Sequence, residues 1–471
     1  MDPFTLIQTL ALLLGFYMAW NIGANDVANA MGTSVGSRAL SLRHAVILAA
    51  ILEFSGAFFV GSSVSQTIQK GIIDTSLFQA DPWTFVLGMM GSLLATGLLL
   101  QAASYFGLPL STTHAIVGSV VGFGLCVAGI HAIHWQELAW IASSWILSPL
   151  LSGLVAYAIF SIIQKKILFT LNPIEAATKL TPALVFLCFS VVTLSLVFHG
   201  LHLDLSFTHA ISLSSCVGLS AASVSHLLVK RKYQATPQLA LGLQLHQAIS
   251  LEKALYHLQR VHLSNQAGAH AQEISQILHQ MHQLNDTVRK SSPLLQSATP
   301  YHSVEQIFIP LQILSACLVA FAHGANDVAN AIGPVAAIVG VFQTHAIPTH
   351  SPIPSWLLAL GGSGIVIGLA TWGWRVIETV GKRITELTPT RGFSAEFGAA
   401  LTILLASKLG LPISTTHALI GAVLGVGLAG GIKALNLQTL KEIVISWAVT
   451  IPLCALVSIL AFHALKLCIK M

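Results

Sequence analysis

Charge is what this chain has least of. Only 8% of its 471 residues are Asp, Glu, Lys or Arg, 54% are hydrophobic, and the mean hydropathy is +0.78. A soluble domain of this length cannot cover its surface with so few ionic groups, so the composition excludes that class and points to a chain that crosses a bilayer many times. Cysteine is sparse as well. Cys126, Cys188, Cys216, Cys317, Cys454 and Cys468 are scattered through apolar runs without a CxxC spacing. That excludes a disulfide framework or a thiolate metal site and leaves them as small packing residues. No basic stretch has the makings of a nucleic-acid patch. No H-E-x-x-H motif or nucleophile–base pair supports an enzyme. Met1-Asp2-Pro3-Phe4 lacks the basic residues that open a signal peptide, so the first apolar run is expected to be retained.

What is present is a repeated octamer. Gly23-Ala24-Asn25-Asp26-Val27-Ala28-Asn29-Ala30 returns letter for letter as Gly324-Ala325-Asn326-Asp327-Val328-Ala329-Asn330-Ala331. Each copy follows an apolar run, where two amides and a carboxylate are expensive to hold. Polar groups at such places usually line a substrate or ion path. A satisfied structural patch would explain one copy; recurrence in equivalent places favours function.

Apolar runs lie near 5–20, 43–65, 84–105, 112–130, 137–163, 182–199 and 208–229, then near 304–322, 355–380, 393–409, 414–430 and 441–467, with a polar stretch at 230–303 between the two sets. Several approach the ~20 residues a spanning helix needs. The expected fold class is an all-α polytopic membrane protein of about twelve transmembrane or re-entrant segments, divided into a first membrane repeat (1–229), a cytoplasmic loop (230–303) and a second membrane repeat (304–471). The stretches 31–42 and 331–342 are too short to cross alone and are expected to be second halves of interrupted helices.

If the N-terminus is outside and every run crosses, thirteen Lys and Arg fall on the cytoplasmic side, against Lys70, Lys408, Lys466 and Lys470 opposite. This bias places both termini outside and the loop in the cytoplasm. Seven runs precede the loop, so the two octamers are entered from opposite sides. That makes an inverted repeat, the architecture of alternating access around a midplane site. Other pairs support the duplication: Leu108-Pro109-Leu110-Ser111-Thr112-Thr113-His114 matches Leu411-Pro412-Ile413-Ser414-Thr415-Thr416-His417, and Ser144-Trp145 before Pro149 echoes Ser446-Trp447 before Pro452. In the loop, Leu251, Leu255 and Leu258, then Ile274, Ile277, Met281, Leu284 and Val288, recur at helical spacing, which predicts a helical hairpin. His246, His257, His262, His270, His279 and His282 are spaced irregularly, as on a solvated face rather than a metal site.

Proline before Ser-Thr-Thr, followed by an apolar run, signals a helix start. Helices are therefore predicted to begin at Ser111 and Ser414. The first N–H groups of a helix lack intrahelical partners, and that end is partly positive. Two such starts, with their hydroxyls, would suit an anion if they reach the midplane; a single copy would read as an ordinary N-cap. In the octamers, the two amides four residues apart share a helix face with the carboxylate at its edge. These oxygens suit a small cation such as Na⁺, or proton exchange on Asp26 and Asp327. Gly23, Gly32, Gly36, Gly324, Gly333 and Gly340 would allow close helix approach. Glu53 and Glu396 are candidates of equal weight for function and structure. Gln66-Thr67 and Glu378-Thr379 occupy similar places in the two halves. Arg375 is expected at an interfacial anchor with Trp372 and Trp374. His114 and His417 are expected to orient the hairpin tips.

On these motifs, with Met31-Gly32-Thr33-Ser34-Val35-Gly36-Ser37 after the first octamer, Ala322-His323 before the second, and Gly392-Phe393-Ser394-Ala395-Glu396, the chain resembles the inorganic phosphate transporter (Pit) family over both halves. The resemblance implies secondary active transport of inorganic phosphate with Na⁺ or H⁺, without a cofactor, through an inverted repeat with two re-entrant hairpins. It implies phosphate contacts from Ser111, Thr112, Thr113, Ser414, Thr415 and Thr416 with Asp26 and Asp327. It implies cation binding, Na⁺ if sodium-coupled, by Asn25, Asp26, Asn29, Asn326, Asp327 and Asn330, and coupling roles for Glu53 and Glu396. Thr33 has no hydroxyl counterpart, because Gly333 is followed by Pro334, which breaks the symmetry there. Sulfate or a metal–phosphate complex is the alternative substrate. Sulfate offers no proton to a carboxylate, which favours phosphate. A channel or receptor on the same scaffold is the alternative class. The expected partners are phosphate, the coupling cation and the lipid of a bacterial inner (plasma) membrane, with a homodimer left open.

Overall fold

A computed structural model of the chain describes residues 3–106, 110–170, 172–197, 205–234, 251, 254–259, 261–262, 271–290, 300–348, 352–374, 377, 388–430 and 437–469. Among these the secondary structure is helical, apart from one isolated bridge between Ile73 and Ile133. The helices are α1 (Pro3–Gly36), α2 (Leu42–Val60), α3 (Ser62–Gln66), α4 (Pro82–Phe106), α5 (Thr112–Ala128), α6 (Trp135–Ile163), α7 (Pro173–Ser195), α8 (Phe207–Gln234), α9 (Ala271–Lys290), α10 (Pro300–Thr344), α11 (Ser355–Gly368), α12 (Pro389–Lys408), α13 (Thr415–Gly430) and α14 (Leu437–Cys468). Nine helical stretches among the described residues are long and apolar enough to cross a membrane, and α5 and α13 are shorter apolar helices. With α12 they account for the twelve expected segments. Leu147, Leu150 and Leu154 of α6 and Leu219, Leu227 and Leu228 of α8 are exposed, as lipid-facing side chains would be.

The ends follow local rules. Asp81 precedes Pro82 and accepts from the Thr84 N–H and hydroxyl, capping α4. Thr388 before Pro389 makes no side-chain cap; Glu305 of α10 instead accepts from the Thr390 N–H at 2.8 Å. Gly410, at φ +68°, takes the left-handed position just after α12, which a β-carbon would strain.

The interrupted helices expected at the octamers are not found. α1 runs unbroken through Asn25–Asn29 to Gly36, and α10 runs 45 residues through the second octamer despite Pro310 and Pro334. Asn and Asp favour helix breaks when their side chains bond to local backbone. Here those side chains bond to other segments of the chain or, at Asp26, to the neighbouring Asn25 side chain, so the local backbone has no competitor and stays helical.

Packing exchanges between the two halves. α1 lies on α11 as α10 lies on α2, and α4–α5 forms a hairpin as α12–α13 does. Hairpin α4–α5 packs on α14, whereas hairpin α12–α13 packs on α6. Glycine permits the tightest crossings. A β-carbon on Gly23 would lie 1.9 Å from the Ile365 carbonyl oxygen, and one on Gly324 would lie 2.0 Å from that of Glu53. Pro149 and Pro452 both sit inside long helices, α6 and α14. In the loop, Leu255 and Leu278 are buried, Gln259 Nε2 donates to His282 Nε2 at 3.4 Å, and the Tyr256 and His257 rings lie tilted against Phe169 beyond α6. Leu108, Pro109, His246, His270, Arg375, Glu378 and Thr379 lie outside the described residues, as do Lys382, Arg383, Lys433 and Lys470 of the charge pattern.

Candidate functional site

Each hairpin delivers a capped helix start. Ser111 Oγ accepts from the His114 N–H and Ser414 Oγ from the His417 N–H, both at 3.3 Å, so the N-caps lie where the motif predicts. The two tips touch: Thr113 Oγ1 donates to the Ile413 carbonyl at 2.9 Å. The imidazoles of His114 and His417 are 5.1 Å apart between centroids. The Trp145 ring lies 4.1 Å from His114, and its indole N–H donates to the Pro412 carbonyl at 2.9 Å. Both histidines are thus built into the packing of the tips.

The octamers meet these tips crosswise. Asn29 Nδ2 donates to Thr416 Oγ1 at 2.7 Å, while Asn330 Nδ2 donates to Thr113 Oγ1 at 3.2 Å and Thr112 Oγ1 at 3.4 Å. Thr415 Oγ1 donates to Asp327 Oδ2 at 2.9 Å. Each first amide serves its own half instead. Asn25 Nδ2 donates to Asp26 Oδ1 and the Leu110 carbonyl; Asn326 Nδ2 donates to Ser407 Oγ and the Leu411 carbonyl. The structure therefore gathers Asn25, Asp26, Asn29, Asn326, Asp327 and Asn330 with Thr112, Thr113, Thr415 and Thr416 and the two serine caps.

Four oxygens in this group are buried and receive no hydrogen bond: Asp26 Oδ2, Asp327 Oδ1, Asn326 Oδ1 and Asn330 Oδ1. Leaving such acceptors unsatisfied is costly. A set of hard oxygens that lack donors has the chemistry of a cation site.

The two glutamates part company. Glu53 joins the centre through a residue that the spacing arguments passed over. His323 Nδ1 lies 3.2 Å from Glu53 Oε1, and its Nε2 lies 3.1 Å from Asp327 Oδ2. The only signal was its position just before the second octamer, where the first has Ile22. Asp26, His323 and Asp327 offer ligand atoms within 4.8 Å of one another, the one such group found among the described residues. Glu396 stands elsewhere, in a polar cluster between α1, α10 and α12. It accepts from the Thr33, Ser34 and Ser315 hydroxyls and from Gln312 Nε2. Thr67 also serves a tip, donating to the Gly410 carbonyl at 2.7 Å.

A family model described as the phosphate transporter family matches residues 22–458. The chain belongs to that family. Over 458 residues it is 45% identical to the inorganic phosphate transporter 2-1, chloroplastic, of Arabidopsis thaliana, covering 97% of this chain and 71% of that one. A solved structure titled the sodium-dependent phosphate transporter is 37% identical and superimposes with a TM-score of 0.81, covering 98% of this chain and all of the other. This member of the phosphate transporter family is thus an integral membrane protein related to transporters and not to enzymes, with a transporter's helical fold.

Proposed function

We propose that this member of the phosphate transporter family imports inorganic phosphate by symport with Na⁺, through alternating access of two inverted repeats. One observation carries the proposal: two hydroxyl-bearing helix starts and two carboxylate–amide clusters converge, leaving buried oxygens without donors. The helix starts and threonine hydroxyls give phosphate donors and a favourable dipole end. The free oxygens of Asp26, Asp327, Asn326 and Asn330 give a cation its ligands, and the cation offsets the charge that the anion brings. A carboxylate oxygen can also accept from protonated phosphate but repels sulfate, which supports phosphate as substrate. The sodium-dependent title of the structural relative supports Na⁺ over H⁺.

The exchange of packing between halves supports the inverted repeat. The Lys and Arg asymmetry supports outside termini and a cytoplasmic loop at 230–303 in a bacterial inner membrane. A metal–phosphate complex is a poorer fit, because both His323 nitrogens already face carboxylates and a divalent ion would have to displace one. The test is uptake of radiolabelled phosphate into proteoliposomes, with Na⁺ and proton gradients imposed separately. Accumulation driven by Na⁺ alone is expected. Equilibration without accumulation would indicate a channel, and accumulation driven only by protons would replace the coupling ion.

A further inference from the structure

The duplication of the octamers does not extend to their neighbours. The residue before the octamer is Ile22 in one half and His323 in the other. The backbone crossing Gly23 is that of Ile365, whereas the backbone crossing Gly324 is that of Glu53. A ladder from Glu53 through His323 to Asp327 therefore exists in one half, while its counterpart positions hold two isoleucines.

The ladder has a local consequence. Asp327 Oδ2 faces two partners, His323 Nε2 at 3.1 Å and the Thr415 hydroxyl at 2.9 Å. Two partners on different helices fix the rotation of the carboxylate. His323 is in turn held from its other nitrogen by Glu53, and all three groups are buried. Asp26 has no such brace. Its carboxylate is held by the Asn25 amide, one residue away on the same helix, and faces Thr112 at the start of α5, but Ile22 stands where the other half has the imidazole. A carboxylate clamped between an imidazole braced by a second carboxylate and a hydroxyl turns toward an ion less easily than one held by an amide and a hydroxyl alone.

Building on the symport reading, we propose that His323, anchored by Glu53, is a positioning residue that makes the two octamer aspartates unequal. It holds Asp327 to the α13 tip as part of the phosphate pocket and leaves Asp26 as the principal carboxylate ligand of the coupling cation. The two octamers, identical in sequence, then do different work.

The test uses the full chain in proteoliposomes and reads two half-saturation concentrations, for phosphate at saturating Na⁺ and for Na⁺ at saturating phosphate. His323→Ala is expected to raise the phosphate value about tenfold and to move the Na⁺ value less than about twofold, since tenfold corresponds to about 1.4 kcal/mol of lost positioning. His323→Gln, which keeps one donor for Asp327 but cannot reach Glu53 as well, is expected to show the same split at smaller size. Asp26→Asn should show the opposite split. If His323→Ala raises the Na⁺ value as much as the phosphate value, or leaves both unchanged, the assignment is wrong. If His323→Ala does not yield monodisperse protein, His323→Gln decides by the same criterion. Absence of Na⁺-driven uptake by the unmodified chain would instead remove the symport reading, a separate failure visible before any variant is made.

Discussion

Asn29 of α1 donates to Thr416 at the start of α13, 2.7 Å away and 387 residues later in the chain. Asn330 returns the contact from α10 to Thr112 and Thr113 at the start of α5. Each octamer is thus tied to the hairpin tip of the other half, and neither half can complete the pocket alone.

That crossing sets the first prediction. Asn29→Ala leaves Thr416 without its donor and removes a pocket amide. Orphaning a fully buried polar partner costs about 1–3 kcal/mol, and this pair is part-buried, so the lower half of that range applies. The expected outcome is a rise of roughly 5- to 30-fold in the half-saturation concentration for phosphate, with normal insertion. Equilibrium phosphate binding on purified protein checks it.

Ser111→Ala combined with Ser414→Ala removes both caps. Each cap loss costs about 1 kcal/mol of helix stability. Weaker phosphate binding is expected, beyond any fall in expression, because the helix starts that face the pocket fray. A thermal melt in detergent run beside a binding isotherm separates the two effects.

Gly324→Ala is expected to abolish correctly assembled protein. Its β-carbon would lie 2.0 Å from the Glu53 carbonyl oxygen, which is backbone and cannot turn aside. Gly430→Ala is the control, because nothing among the described residues lies within 4 Å of a β-carbon there. Size-exclusion profiles of the two variants should differ sharply.

Asp81 offers a pH test away from the membrane interior. Hydrogen bonds from Thr84 hold its carboxyl below the usual carboxylate range. A depressed folded value means that the stabilisation is complete above the unfolded pKa, about 4, and fades as pH falls through the folded value. Asp81→Ala should cost about 1 kcal/mol or less for so exposed a cap, and it should remove that share of the acid sensitivity. Melts of both proteins at pH 7 and at pH 3 would show it.

The octamers and the Leu-Pro-x-Ser-Thr-Thr-His motifs were legible in the sequence because polar side chains stand out on an apolar background and recur as pairs. The family resemblance followed from the same residues. The unbroken course of α1 and α10 was not legible. Whether Asn25 or Asn326 breaks a helix depends on partners such as Leu110 and Ser407, about 80 residues away, which spacing along one helix does not reveal. Glu53 and Glu396 looked alike as lone carboxylates in apolar runs. Only packing separates them, by setting His323 against one and a ring of hydroxyls against the other. His323 itself carried one visible mark, the mismatch with Ile22.

Equilibrium binding of labelled phosphate to the purified protein, with and without Na⁺, compared between the unmodified chain and Asp26→Asn, tests most directly whether anion and cation share this pocket. Tight binding that needs Na⁺, with Asp26→Asn raising at least tenfold the Na⁺ concentration it needs, is the predicted result. Phosphate binding of equal strength without Na⁺, unchanged by Asp26→Asn, would contradict it.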